Sequence, residues 1–426
     1  MRARLLANLN WLAADRVLRL VGGLLVGVWV ARYLGPEQYG ALNYALAFVA
    51  LFGAVAKLGM DQIVVRGLVL APDQEGKILG TLFGLKLCAG LIASALAIGV
   101  AWPGHSENPG NMLLVFIIAM GLVFNAADAF DVYYQARLLS RYTVIARSAA
   151  FLVFMLVRIA LILGEFSVAW FAAATTLELA LGGLLLAWPY LGNKQFRRRW
   201  LFDMETMSGL LKDGWPLIVS SALIVAHIRI SQVMLGHMLG NAELGVYSAA
   251  VRLSEAWLFI PSIIVQTVMP YFVQLRTSNP LHYQRRLIQL YSIMFWLGVA
   301  AGVLAILFGE ALVMLLFGER YRAAYAPLCI TIWTGIFVSQ GIARGIWMIG
   351  ENRQGYRLVG NLIVVPMNIA LNLLLIPQHG VVGAALASFV SMGVGTWIIP
   401  FLFPDMRESN RNLLRSINPK YLFIRN

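Results

Sequence analysis

Residues 23–57 read GLLVGVWVARYLGPEQYGALNYALAFVALFGAVAK. Two apolar runs, parts of the expected spans 9–31 and 38–60 that each reach the roughly 20 residues a helix needs to cross a bilayer, flank the polar stretch LGPEQYG. Its Gly-Pro pair stops one helix and starts the next. The same phrase returns in the second half of the chain. LGPEQYGALNYA (34–45) aligns with LGNAELGVYSAA (239–250) at an offset of 205, keeping Leu, both Gly and Ala. SVAWFAAA (167–174) aligns with VVGAALAS (381–388) at an offset of 214. Two copies at nearly one offset point to an internal repeat of a six-span unit. An even number of spans per unit gives both copies the same orientation, so the lobes are related about the membrane normal.

Composition agrees. Of 426 residues, 60% are hydrophobic and 12% charged, and the mean hydropathy is +0.75. Soluble domains carry about 25% charged residues, so an ordinary cytosolic enzyme is excluded. Apolar runs between Gly, Pro, Asn and charge clusters predict twelve spans: 9–31, 38–60, 78–101, 111–135, 143–163, 167–189, 214–235, 244–270, 287–308, 324–349, 356–376 and 380–403. EALVMLLFG (310–318) is too short to span and is expected at the surface. Arg2 and Arg4 precede an apolar run as in a signal peptide. Asp15, Arg16 and Arg19 interrupt that run, so it is read as a retained first span. Cys88 and Cys329 form neither a disulfide framework nor a metal pair.

The net charge of +13 follows the topology. With the N-terminus inside, 21 of the 33 Lys and Arg fall in cytoplasmic segments, and 3 (Arg32, Arg320, Arg322) fall outside. This asymmetry predicts cytoplasmic termini and an even number of spans in a polytopic protein of inner-membrane type. Nucleic acid is not an expected partner. The organisation is a lobe over 1–190, a cytoplasmic loop over 191–213 with Lys194 and Arg197–Arg199, a second lobe over 214–403, and a basic tail over 404–426. The fold class is an all-α integral membrane protein with twelve helices in two pseudo-symmetric lobes.

The remaining nine cations lie inside spans: Arg16, Arg19, Lys57, Lys86, Arg147, Arg158, Arg229, Arg252 and Arg344. Five acids join them: Asp15, Asp128, Asp131, Glu178 and Glu255. Each such charge costs roughly 2.5–3.5 kcal/mol at mid-bilayer. The difference of +4 requires some cations to face water, headgroups or an anionic ligand. Lys57 and Arg147 are shallow enough to snorkel, and Arg344 sits in the inner third of its span. Arg147 and Arg158 are 11 residues apart on one helix face, either rungs for an anion or separate anchors. Asp15 and Arg19 are spaced i,i+4 and can pair, which leaves Arg16 for a phosphate or for Asp128. Lys86 is too deep to snorkel and is assigned to a cavity. Arg252 and Glu255 share a face of their helix. Asp128, Asp131 and Glu178 either balance arginines or couple transport to protons or sodium.

Tyr190, Trp188 and Trp102 are expected in interfacial belts. Pro261 and Pro366 are expected to kink their helices. Gly80 and Gly84 suggest close packing. Neither a Walker A sequence nor a kinase-like glycine loop is present, so no nucleotide cofactor is expected.

ARYLGPEQYGALNYALAFVALFGAVAKLGM (31–60), LGNAELGVYSAAVRLSEAWLFIP (239–261) and LLLIPQHGVVGAALAS (373–388) resemble polysaccharide exporters of the MOP flippase superfamily. They resemble above all the Wzx-type O-antigen flippases, which move undecaprenyl-diphosphate-linked oligosaccharides. Lipid II flippases and MATE-type multidrug exporters belong to the same superfamily. The resemblance implies a cationic central cavity that takes in Arg252 and basic residues of the first two helices, for which Arg16, Arg19 and Lys57 are the candidates. It also implies that one lobe rocks against the other. Many relatives carry an acid in helix 7; this chain has HIRISQVMLG (227–236) there, which puts that role in doubt.

The expected substrate is a lipid-linked glycan handled beside membrane lipid. A polysaccharide polymerase and chain-length regulator are further expected partners, and a monomer already holds both lobes. Three rivals remain: a cation-coupled multidrug exporter, an integral-membrane polymerase or ligase, and a non-transporting scaffold.

Overall fold

Gly35 sets the first bend. Its backbone is left-handed (φ 69, ψ 171), a conformation open to glycine at little steric cost, and Pro36 begins the next helical limb. Gly240, its counterpart in the repeat, adopts the same kind of conformation (φ 93, ψ -178) ahead of the next helix. The repeat is therefore present in backbone conformation as well as in sequence.

The computed structural model describes residues 2–104, 109–193, 199–351, 353 and 355–423, with their side chains except at 2–17, 103, 104, 109 and 423. The helices are α1 (Arg2–Lys57, bent at Gly35), α2 (Asp61–Leu70), α3 (Glu75–Gly104), α4 (Pro109–Met120), α5 (Asp128–Ala136), α6 (Ser140–Leu163), α7 (Val168–Gly192), α8 (Met204–Leu239), α9 (Asn241–Trp257), α10 (Phe259–Ser278), α11 (Pro280–Phe317), α12 (Tyr325–Gly350), α13 (Gly355–Gly393, bent at Gly380) and α14 (Arg407–Arg415). Among the described residues there is no strand. Among the described residues, ten helical segments are long and apolar enough to cross a membrane. Two of them carry the breaks at Gly35 and Gly380, which is consistent with twelve spans.

Several details differ from the sequence-based expectation. Residues 310–317 are not a separate surface piece: they continue α11 without interruption, with Val313 and Phe317 buried. The eighth expected span is broken at Leu258 into α9 and α10. Pro261 lies three residues further on, and its ring displaces the carbonyl four residues earlier. The fourth passes through a 3-10 stretch, Gly121–Ala127, between α4 and α5. Helix α8 starts ten residues before the expected span because Asp203 caps it: its Oδ2 accepts from Thr206 N at 2.9 Å and from Thr206 Oγ1 at 2.5 Å.

The chain divides into two compact units, residues 1–34 with 41–229 and residues 35–40 with 230–426. In the first, α6 packs on α7, α4 on α7 and α2 on α5. Its aromatic core gathers Phe83, Phe130, Tyr133, Tyr134, Tyr190 and Trp200. Tyr190 is not an interfacial residue. It is 1% exposed and accepts from Trp200 Nε1 at 2.8 Å, whereas Trp102 and Trp188 are exposed as expected. Gly80 and Gly84 do serve close packing, against the backbone of Leu201 and the ring of Phe202.

In the second unit α12 is central, contacting α9, α10, α11 and α13. Residues 404–423, expected as a basic tail, fold into short helical turns and α14. Ser409, Asn410, Leu413 and Ser416 of that segment are buried.

Candidate functional site: a charged cavity in the first unit

Helix α5 begins with Asp128, and Asp131 follows at i+3 on the same face. Both carboxylates sit in the first turn, where the helix dipole favours negative charge. Arg147, two turns into α6, reaches both: its Nη2 donates to Asp128 Oδ1 at 2.9 Å and to Asp131 Oδ2 at 3.0 Å. Thr143, one turn earlier on α6, donates to Asp131 Oδ1 at 2.7 Å. The guanidinium and the hydroxyl together fix the Asp131 carboxylate.

This group forms one wall of a cavity of ≈ 380 Å³, also lined by Arg19, Lys57, Asp61, Asn125 and Glu178. The 3-10 stretch places Phe124 and Asn125 on the wall, and Gly183 of α7 lets that stretch pack closely, since a side-chain carbon there would stand 2.9 Å from Ala127 Cβ. Two further cations stand behind lining carboxylates. Lys86, fully buried on α3, binds Asp61 Oδ1 at 2.6 Å. Arg158 Nη2 binds Glu178 Oε2 at 2.8 Å and donates to Thr175 Oγ1 at 3.3 Å.

Lys86 therefore does not line the cavity, as its depth had suggested, but holds Asp61 on the wall. Arg147 and Arg158 are not parallel rungs; each engages its own carboxylates. Arg19 lies over the Phe151 ring, with its Cζ 5.4 Å from the centroid. Lys57 is exposed to the cavity and, among the described residues, makes no ion pair. Asp15 and Arg16 lie outside the described side chains. Arg252 and Glu255 belong to α9 in the second unit and line no part of this cavity.

Asp61 was not expected. It stands one residue beyond the second span, and its partner is 25 residues away on another helix, so neither periodicity nor spacing marks it. With it, the described residues of the wall include four carboxylates and three cations (Arg19, Lys57, Arg147). With Lys86 and Arg158 behind the wall, the described charges of the site are five cations and four carboxylates, dense and nearly balanced. Among the described residues no cluster of His, Cys, Asp or Glu could hold a metal ion.

Residues 5–276 match the family described as polysaccharide biosynthesis protein. The chain belongs to that family. It is 26% identical over 180 residues to the capsular polysaccharide biosynthesis protein CapF of Staphylococcus aureus, covering 42% of this chain and 46% of CapF. It is 29% identical over 180 residues to the probable flippase AglR of Haloferax volcanii, covering 38% and 35%. The match thus spans less than half the length of either relative. The fold is that of the lipid II flippase MurJ in an inward closed conformation. That likeness has a TM-score of 0.75, covers 97% of this chain and 93% of MurJ, and carries 13% sequence identity.

Proposed function

We propose that this member of the polysaccharide biosynthesis family is a flippase for an undecaprenyl-diphosphate-linked oligosaccharide, an O-antigen or related repeat unit. It would carry this substrate from the cytoplasmic to the periplasmic leaflet of the bacterial inner membrane. The observation that carries this reading is the exposed ammonium of Lys57, without an ion pair among the described residues, beside Arg19 and Arg147 in a polar cavity within an otherwise apolar helical protein. A charge kept inside a membrane protein at a cost of several kcal/mol marks a ligand path.

The diphosphate offers acceptor oxygens in the geometry a guanidinium prefers. Lys57 meets it first, as the cation with no carboxylate to surrender. Arg147 then exchanges Asp128 and Asp131 for phosphate oxygens, with Arg19 alongside. Before substrate arrives, the carboxylates keep the guanidinium extended into the cavity. The carboxylates released by this exchange can take up a proton or a sodium ion, which links translocation to an ion gradient. The polyprenyl tail stays in the acyl region while the cavity opens alternately to the two sides. No bond is made or broken.

With Asp61 held by Lys86 and Glu178 by Arg158, Asp128 and Asp131 still share the single guanidinium of Arg147, and this local excess of carboxylate favours a second reading, export of a cationic small molecule. One experiment separates the two. In a strain lacking this protein, the flippase reading expects loss of surface polysaccharide with single lipid-linked repeat units accumulating on the cytoplasmic leaflet. Single units appearing outside would overturn it and point to polymerase, ligase or scaffold. Unchanged polysaccharide with raised sensitivity to cationic drugs would establish the second reading.

A further inference from the structure

Arg344 lies six residues before the end of α12 and is 3% exposed, so it does not snorkel from its place in the inner third of its span. Its Nη2 donates to Asn410 Oδ1 at 2.7 Å, and its Nε has no acceptor. The Asn410 amide nitrogen donates to Trp397 O at 2.6 Å, which fixes the amide with its oxygen toward the guanidinium. Among the described residues Arg344 makes no ion pair. A buried guanidinium whose one partner among the described residues is a neutral amide is an uncompensated charge there, and such charges are among the most costly features of a protein interior.

The neighbours add donors. Tyr291 of α11 lies beside both Arg344 and Ser409. Tyr291 and Ser409 are fully buried, and neither hydroxyl forms a hydrogen bond of good geometry. Asn410 is the fourth residue of α14, whose N-cap, Met406, offers no side-chain acceptor. The one acid of that turn, Glu408, is exposed and accepts from Gln284 Nε2 at 2.9 Å. A guanidinium N–H and two hydroxyls, all buried, have one shared need, a negative charge that accepts from several donors.

We infer that Arg344, Tyr291 and Ser409 form a binding site for one small monovalent inorganic anion of the halide class, sealed into the second unit by the C-terminal segment. Water would satisfy the hydrogen bonds but leave the charge. Phosphate would bring more acceptor oxygens than these donors serve and more charge than one guanidinium balances. Chloride matches both the charge and the donors. Its binding also links the docking of α14 to the anion, because two of the groups around it, Ser409 and Asn410, come from that helix. The site is separate from the cavity of the first unit and does not depend on the proposed substrate.

The test uses the full chain purified in detergent, with chloride exchanged for gluconate at constant ionic strength. Chloride is expected to raise the midpoint of thermal unfolding saturably, by about 2–4 °C, as a ligand bound only by the folded state does. Bromide should replace it. Arg344→Met should lose the response, and Ser409→Ala should shift its midpoint to higher chloride; the second variant serves if the first does not fold. Three results would overturn the site. They are equal unfolding midpoints in chloride and gluconate, an equal rise with inorganic phosphate, and a chloride response retained in both variants.

Discussion

Gly40 and Asn241 approach so closely that a side-chain carbon on Gly40 would stand 1.7 Å from the Asn241 carbonyl oxygen. The repeat supplies the reciprocal contact, since a side-chain carbon on Gly245 would stand 2.0 Å from the carbonyl oxygen of Pro36. At the offset of 205 read from the sequence, Asn241 is the counterpart of Pro36 and Gly245 that of Gly40. The two copies of the LG phrase therefore clasp each other backbone to backbone, which accounts for glycine at the same place in both.

Gly40→Ala and Gly245→Ala are each expected to destabilise the protein by about 1–3 kcal/mol or more, because the obstructing atoms are backbone and cannot rotate away. Gly99 faces open space, so Gly99→Ala is the matched control and should leave the unfolding midpoint unchanged or raised. A Gly40→Ala protein as stable as the Gly99→Ala protein would show that the clasp opens at no cost.

The Lys86–Asp61 pair is asymmetric: the lysine side chain is 0% exposed and the aspartate 41%. Asp61→Asn strands a buried ammonium and should cost about 3–5 kcal/mol. Lys86→Met leaves a carboxylate that cavity water can hydrate, and should cost less than half as much. Thermal unfolding of the two variants gives the order directly. The reverse order would mean that burial of the ammonium does not govern the pair.

Much of the fold is legible in the sequence, because the bilayer imposes a rule that composition obeys: long apolar runs, polar turns and Lys or Arg on one side. The repeat is legible because a left-handed glycine is needed at both Gly35 and Gly240. The cavity is legible only in part. Its cations announce themselves by their insertion cost, but each partner is chosen by packing between helices distant in sequence. Arg158 and Glu178 illustrate this at 2.8 Å. Asp61 escapes notice because it falls just past a span. The C-terminal segment escapes because Ser409, Asn410 and Ser416 look like solvated tail residues until α11 and α12 are seen to cover them.

The cap of α8 gives a pH prediction. Hydrogen bonds from the Thr206 hydroxyl, and then from its backbone N–H, hold the Asp203 carboxyl below its ordinary 3.8. A depressed carboxyl contributes stability that is present above its unfolded value and lost as pH falls through the folded one. The start of α8 should therefore fray only below about pH 4. Asp203→Ala should show the frayed state at neutral pH with no further acid step, whereas Asp203→Asn keeps an acceptor and most of the cap. Amide hydrogen exchange at residues 204–207 reads the effect, and protection that is unchanged in Asp203→Ala would remove the cap from the account.

Arg147 separates two carboxylates that both touch one of its nitrogens. Arg147→Met leaves Asp128 and Asp131 facing each other, at an expected cost of about 1–2 kcal/mol once screening by cavity water is allowed for. Adding Asp128→Asn and Asp131→Asn removes the repulsion and should restore most of that loss, although export stays abolished if the guanidinium binds the diphosphate. Full additivity of the three changes would show that the groups do not interact.

Lys57 offers the cleanest separation of binding from stability. Its ammonium is exposed to the cavity and holds no carboxylate among the described residues, so Lys57→Gln should leave the unfolding midpoint and the protein level as they are. If the ammonium receives the diphosphate, the same change should lower export at least tenfold, a loss of about 1.4 kcal/mol or more of interaction with the passing anion. Lys57→Arg should retain most of the activity, because it keeps the charge at nearly the same reach. The measurement is surface polysaccharide per molecule of transporter in a complemented deletion strain. Full export by Lys57→Gln would remove this residue from the substrate path, and improved export of a cationic dye by the same variant would move the cavity to the second reading.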